Sequence, residues 1–81
     1  MINVKDVITL SDDKKYCVTS KTIYEGTTYY LLIDIDDFKN VKICSERIDN
    51  GTIKLTQIND IGLQNKIMLL FGKNAINKNY D

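Results

Sequence analysis

The sequence contains no histidine, proline or tryptophan, and it has only two cysteines. Histidine is the commonest general base near neutral pH and the commonest metal ligand, so its absence argues against most kinds of enzyme. Cys17 and Cys44 have no second cysteine or histidine at ligand spacing, which argues against zinc and favours reduced, packed thiols. The sequence therefore predicts a protein that is not an enzyme, with no catalytic residues, no metal and no cofactor.

The chain also lacks net charge and long apolar runs. Its 11 Lys and Arg residues balance 11 Asp and Glu residues, so no global field attracts nucleic acid or an anionic membrane. No apolar run approaches the length that spans a bilayer, and the first residues lack the basic and apolar blocks of a signal peptide. These absences predict a cytosolic protein without a membrane partner. With 81 residues, the chain has room for one small core.

Period-two alternation of apolar residues is the main positive signal, and it predicts five strands. The predicted strands are residues 2–10, 16–24, 28–37, 41–48 and 52–58. Residues 28–37 form the most apolar and most β-prone stretch, which predicts the central strand. Its odd positions are predicted to face the core, and these are Tyr29, Leu31, Ile33 and Ile35. Its even positions, including Tyr30 and Leu32, are predicted to line a second, partly covered face.

Glycine-containing turns predict how the strands pair. A two-residue loop at residues 25–26 would set Tyr24 opposite Thr27 and, further along, Val18 opposite Ile33.

The second glycine turn admits two registers. A three-residue loop at residues 49–51 places Glu46 beside Lys54, whereas a two-residue Asn50-Gly51 turn places Glu46 against Leu55. The outward ion pair between Glu46 and Lys54 favours the longer loop.

The hydrophobic period changes after Asp60, which predicts the N-cap of a helix. One apolar stripe follows at helical spacing: Leu63, Ile67, Leu70 and Phe71. Gly72 is predicted to end the helix, so that residues 1–72 form one domain and residues 73–81 a polar tail. The predicted fold class is α+β: a curled antiparallel sheet of about five strands, arranged as a meander, with one C-terminal helix packed on it.

An acidic cluster follows the central strand and consists of Asp34, Asp36 and Asp37. Its spacing resembles the start of a calcium-binding loop. However, such a loop starting at Asp34 would need glycine where Lys39 stands and glutamate where Ser45 stands. The cluster is therefore interpreted as a strand end and turn, because aspartate is a favoured turn residue.

Four tyrosines on the predicted sheet could stack on the bases of single-stranded nucleic acid, and these are Tyr16, Tyr24, Tyr29 and Tyr30. Few cations accompany them, with Lys21 expected across from Tyr30. Binding to nucleic acid needs phosphate neutralisation, so this function is the alternative hypothesis rather than the main one.

Met68 and Leu69 fall off the apolar stripe of the helix, and two readings of them are open. Small domains expose some apolar residues without functional meaning, but an exposed pair can also form a partner surface. The predicted partner-binding residues are these two together with Tyr30 and Leu32.

Three segments together resemble the YrzB-like family of small uncharacterised proteins from Gram-positive bacteria. The segments are residues 8–12, the hairpin and central strand at 24–32, and the ending from residues 58–60 to Leu70-Phe71. The resemblance covers residues 8–71, and the family has no assigned activity. It implies β strands followed by a helix, and no active-site residues.

The sequence thus predicts a non-enzymatic protein-binding module that docks on a larger protein or associates with itself, through a strand edge or the helix. A specific form of this hypothesis is a phage or mobile-element inhibitor of a host defence nuclease, similar in role to anti-CRISPR proteins. It is motivated by small size, the lack of a catalytic set and a composition typical of AT-rich genomes.

Overall fold

The computed structural model describes the backbone of residues 2–80 and the side chains of residues 2–73. In this part of the chain, five antiparallel strands form a sheet in the order β1-β2-β3-β4-β5, and one helix follows them. The elements are β1 (Val7–Thr9), β2 (Lys15–Tyr24), β3 (Thr27–Asp34), β4 (Asp37–Asp49), β5 (Thr52–Gln57) and α1 (Ile61–Tyr80). The sheet is strongly curled into a half-barrel. The predicted fold class and the meander order are confirmed.

The first strand is shorter than predicted, since β1 covers only three residues. The chain before it turns at Lys5, which has a positive φ of 81° and donates its backbone N–H to the Val18 carbonyl at 2.7 Å. Asp6, which breaks the alternating pattern in the sequence, accepts the Asn3 N–H at 2.8 Å through its carboxylate. A local turn therefore replaces the first half of the predicted strand.

The β2–β3 hairpin has the predicted two-residue turn. Glu25 and Gly26 both have positive φ, 50° and 79°, as a type I′ turn requires. Tyr24 pairs with Thr27 as expected.

A bulge at Thr19 then changes the register, so Val18 lies opposite Leu32 and the predicted pairing with Ile33 is wrong. The Thr19 hydroxyl donates to the Leu31 carbonyl at 3.0 Å. One extra residue in β2 moves every preceding side chain to the other face, because the side-chain period of a strand is two. Tyr16 thereby joins Val18 on the face of Leu32.

The β4–β5 hairpin has the shorter of the two loops considered. Asn50 and Gly51 have φ of 51° and 80°, and Glu46 lies opposite Leu55. The preference for the three-residue loop is therefore wrong, because the twist of a type I′ Asn-Gly turn matches that of the flanking strands. The Glu46 carboxylate accepts a hydrogen bond from the Tyr30 hydroxyl instead of pairing with Lys54.

The β3–β4 connection comes earlier in the chain than the predicted strands at residues 28–37 and 41–48 imply. β4 already begins at Asp37, which pairs with Asp34. The Asp34 carboxylate accepts the Asp36 N–H at 2.9 Å and so stabilises the chain reversal. The register shifts between Ile33 and Asp34, because Ile33 pairs with Val41 whereas Asp34 pairs with Asp37. Residues 38–40 of β4 therefore lie between these two pairs.

Both faces of the sheet carry a core. The concave face holds the first core, whose buried members are Tyr16, Val18, Tyr30, Leu32 and Cys44. The convex face holds the second, whose buried members are Tyr29, Ile43, Ile58, Ile67 and Phe71. The even residues of β3 are thus the more deeply buried ones, and Ile35, predicted as core, is 40% exposed. The curl of the sheet encloses the even face, which a flat-sheet interpretation leaves partly open.

Helix α1 begins where predicted and ends later than predicted. The Asp60 carboxylate accepts the Leu63 N–H at 3.2 Å, which confirms the N-cap. The predicted stripe contacts the convex face, with Ile67 and Phe71 buried. The helix continues through Gly72 to Tyr80, so the predicted end at Gly72 is wrong. In the predicted tail at residues 73–81, the side chains after Lys73 and the whole of Asp81 lie outside the described residues.

Candidate functional site

The helix surface that faces away from the sheet carries an exposed apolar pair. Met68 is 46% exposed and Leu69 is 69% exposed, which confirms that they lie off the buried stripe. Beside them lies a cleft of about 520 Å³, here called the helix cleft, lined by Tyr24, Lys66, Met68, Leu69, Leu70, Gly72 and Lys73. The end of β2 supplies Tyr24 and the helix supplies the other residues.

Lys66 on the helix contacts Tyr24, the residue of β2 that lines the helix cleft. The Lys66 Nζ donates to the Tyr24 hydroxyl at 3.4 Å and lies 6.0 Å from the centre of the Tyr24 ring. This contact leaves the cation at the surface, where charge can assist the approach of a partner.

The other two predicted partner residues lie elsewhere. Tyr30 and Leu32 are 0% exposed and belong to the first core, on the face of the sheet opposite the helix. The prediction that Tyr30 and Leu32 share one surface with Met68 and Leu69 is therefore wrong, because the sheet lies between the two pairs.

The tyrosines do not form an open stacking surface. Tyr16 and Tyr30 are 0% exposed and Tyr29 is 8% exposed, so their rings are packed in the two cores. Lys21 does lie opposite Tyr30 as predicted, with its Nζ 5.8 Å from the ring centre. Of the four predicted stacking residues, only Tyr24 keeps a partly exposed ring.

A network of polar side chains lies where β3 turns into β4. The Tyr16 hydroxyl donates to the Asp12 carboxylate at 2.8 Å and accepts from the Asn40 amide at 3.1 Å. The same amide donates to Asp34 at 3.1 Å. The backbone N–H of Asp36, together with the Asn40 amide, holds the pKa of Asp34 below its usual value.

Each carboxylate in this network already has donors, so the network stabilises the fold. Asp12 accepts the Lys14 N–H at 2.9 Å, and this bond, with that from Tyr16, lowers its pKa. Lys42 adds an ion pair to Asp12 at 3.3 Å. The acidic residues Asp34 and Asp36 therefore act at a strand end and turn, as the sequence interpretation had it. Among the described residues, no group of three or more potential ligands could hold a metal ion.

A second polar contact lies on the concave face. The Tyr30 hydroxyl donates to the Glu46 carboxylate at 2.6 Å. Burial, reinforced by this carboxylate, raises the pKa of Tyr30 well above its usual value. The hydroxyl is therefore protonated throughout the neutral range and acts as a hydrogen-bond donor.

The two cysteines occupy different environments. Cys44 is 2% exposed, and burial raises the pKa of its thiol, which keeps it protonated and poorly nucleophilic. Cys17 is half-buried on β2, and its thiol lies 3.9 Å from the Val18 carbonyl. Both are free thiols.

A groove on the concave side of the half-barrel was not predicted from the sequence. It has a volume of about 430 Å³ and is lined by Ile2, Ile8, Thr9, Leu10, Ser11, Asp12, Lys42, Cys44, Ile53, Lys54, Leu55 and Gln57. The first six lie in or beside β1, and the last four lie on β5. The alternation at residues 52–58 indicated a strand, but it could not show that this strand faces β1 across an open groove.

Comparison with protein-family models, with curated proteins and with solved structures found no match for the chain. The resemblance to the YrzB-like family therefore stays a prediction. Within the described residues, no helix combines the length and the apolar character that crossing a membrane requires.

Proposed function

We propose that this protein is a non-enzymatic protein-binding module that docks through the helix cleft. The observation that carries the proposal is the exposure of Met68 and Leu69 side by side, next to a cleft that can receive a partner's side chain. Exposed apolar surface rimmed by polar groups is typical of protein-interaction sites.

The charge of the helix defines the chemistry of the partner. Residues 61–80 contain three lysines and no aspartate or glutamate, and two of these lysines, Lys66 and Lys73, line the cleft. An apolar contact flanked by cations is complementary to an apolar patch flanked by carboxylates. The expected partner is therefore a larger protein with an acidic rim around its contact surface.

The test compares what wild-type protein and a double variant capture from the native host. Met68→Asp with Leu69→Asp places two carboxylates on the contact surface, which opposes both its apolar character and its charge. We expect the variant to lose the partner that wild-type protein recovers, as measured by affinity purification and mass spectrometry.

A matched control introduces the same charges elsewhere. Phe38→Asp with Ile61→Asp replaces two side chains that are 80% and 72% exposed and lie outside the cleft. This control should retain the partner. Retention of every partner by the Met68 and Leu69 variant, with its fold intact, would refute the proposed docking surface.

The same purification tests the more specific hypothesis of an inhibitor. An inhibitor of a host defence nuclease would recover that nuclease, and adding the purified protein would then reduce nucleic-acid cleavage. Recovery of a second copy alone, with a dimeric mass by light scattering, would indicate self-association instead. Nucleic-acid binding is not proposed, since three of the four tyrosines that motivated it are packed in the cores.

A further inference from the structure

The strand β5 is an open edge of the sheet. It is last in the sheet order, so within the described part of the chain it has a neighbour on one side only. Proteins usually block such edges with short strands, prolines or bulges. β5 has six residues, no proline and no register shift along β4, so Lys54 is its only blocking feature.

The direction of the free backbone groups follows from the hydrogen bonding. In an antiparallel pair, every second residue bonds to the neighbouring strand. The Ile58 N–H donates to the Ile43 carbonyl at 2.9 Å, so even-numbered residues of β5 face β4. The N–H and C=O groups of the odd-numbered residues then point outward, and these residues are Ile53, Leu55 and Gln57.

Side chains of the same three residues line the groove on the concave face. Ile53 and Leu55 are half-buried, and the wall on the other side of the groove is formed by Ile8 and Leu10. The groove therefore combines an apolar lining with a row of free backbone donors and acceptors along one side.

The charges at the groove are already compensated. Lys42 pairs with Asp12 at 3.3 Å, and Lys54 pairs with Asp49 at 3.1 Å. An anionic ligand such as a nucleotide or a fatty acid would need an uncompensated cation, and these two pairs do not offer one. The groove instead suits an uncharged, extended peptide, whose backbone N–H and C=O groups can pair with those of β5.

We propose that the groove binds an extended segment of a partner protein, which adds to β5 as a sixth strand. The backbone of the segment hydrogen-bonds the outward groups of β5, and its apolar side chains at alternate positions fill the groove. This site lies apart from the helix cleft and does not depend on the function proposed there.

The probe is a library of random linear decapeptides displayed on phage and selected on the wild-type protein. We expect the selected peptides to share apolar residues at alternate positions. A labelled synthetic copy of one of them then gives the Kd by fluorescence anisotropy.

A proline on the edge separates backbone pairing from simple apolar contact. Gln57→Pro removes an N–H that points away from β4, and edge strands tolerate proline at such positions. We expect it to weaken peptide binding by about tenfold or more, since an edge hydrogen bond is lost. The matched variant Gln57→Ala keeps the N–H and should bind within about twofold of wild type. The Met68→Asp and Leu69→Asp variant should also bind normally, which separates this site from the helix cleft.

Methylation of the peptide gives a readout that leaves the protein unchanged. Only every second amide of an added strand points at β5. N-methylation at positions of one parity should abolish binding, and N-methylation at the other parity should be tolerated.

Four outcomes would overturn the proposal. They are failure of the library to enrich any peptide, equal binding to Gln57→Pro and Gln57→Ala, equal sensitivity to both methylation patterns, and a dimer that Gln57→Pro converts to a monomer. The last would assign the edge to a second copy of this chain.

Discussion

Tyr30 shows how one side chain serves two environments in this protein. Its ring is completely buried in the first core, and its hydroxyl reaches Glu46 at 2.6 Å. A buried hydroxyl without a partner costs free energy, so the carboxylate makes burial of this ring favourable. The sequence placed Tyr30 on a partner surface because alternation does not show which face of a sheet becomes enclosed.

The raised pKa of Tyr30 predicts a loss of stability in alkali. Below pH of about 10 the hydroxyl is protonated in both folded and unfolded chains. As the pH rises further, the unfolded chain loses this proton first, so the free energy of unfolding falls. We expect Tyr30→Phe to reduce this fall between pH 9 and pH 11, as measured by urea unfolding, while costing about 1.5 kcal/mol at neutral pH.

The matched variant Tyr24→Phe removes a tyrosine hydroxyl that does not contact Glu46, and it serves as the control. Parallel curves for wild type and Tyr30→Phe across the alkaline range would contradict the prediction.

At the scale of single elements, the turns and the helix show which local sequence patterns predicted the structure correctly. The two glycine turns, at residues 25–26 and 50–51, both have the positive φ angles of type I′ turns, and Asp60 caps α1 as its sequence context indicates. Gly72 resembles a helix stop, yet the helix passes through it. A glycine therefore marks a turn reliably here only where strands flank it.

The two glycines predict opposite effects of the same substitution. Gly51→Ala should destabilise the protein by about 1–2 kcal/mol, because its φ of 80° is unfavourable for a residue with a Cβ. Gly72→Ala should stabilise it by about 0.5–1 kcal/mol, because alanine is the better residue inside a helix. A Cβ at position 72 has no atom within 4 Å to clash with.

Thermal or urea unfolding of the two variants checks this prediction. Destabilisation by Gly72→Ala would mean that the helix ends at Gly72, as the sequence pattern indicated, and would contradict the structure at this point.

At the scale of the whole molecule, two cores share one sheet. β3 contributes Leu32 to the concave core and Tyr29 to the convex core, and β4 contributes Cys44 and Ile43 in the same way. Loss of either core removes the support of the same two strands. The sheet and the helix are therefore expected to unfold together.

This coupling predicts one cooperative transition in variants of either core. Leu32→Ala in the concave core and Ile67→Ala in the convex core should each cost about 2–5 kcal/mol, because both side chains are 0% exposed. Urea unfolding followed by tyrosine fluorescence and by far-UV circular dichroism should give coincident curves. Separate transitions for the two probes in Ile67→Ala would show that the helix detaches on its own.

The local pattern of the sequence determined the strand order, the Glu25-Gly26 turn, the helix start at Asp60 and its buried stripe. These features follow from interactions between residues close in the chain, which period and turn chemistry report. It also indicated the exposure of Met68 and Leu69, because helical geometry alone places them off the stripe.

Only the tertiary structure decided which face of β3 is enclosed and that β5 does not close the sheet by pairing with β1. One extra residue at Thr19 reverses the facing of Val18, and no local signal marks that residue as a bulge. The groove between β1 and β5 exists because the whole sheet curls, which depends on contacts between segments far apart in the chain. In the part of the chain that the structure describes, the two proposals rest on the apolar helix cleft and on the outer edge of β5.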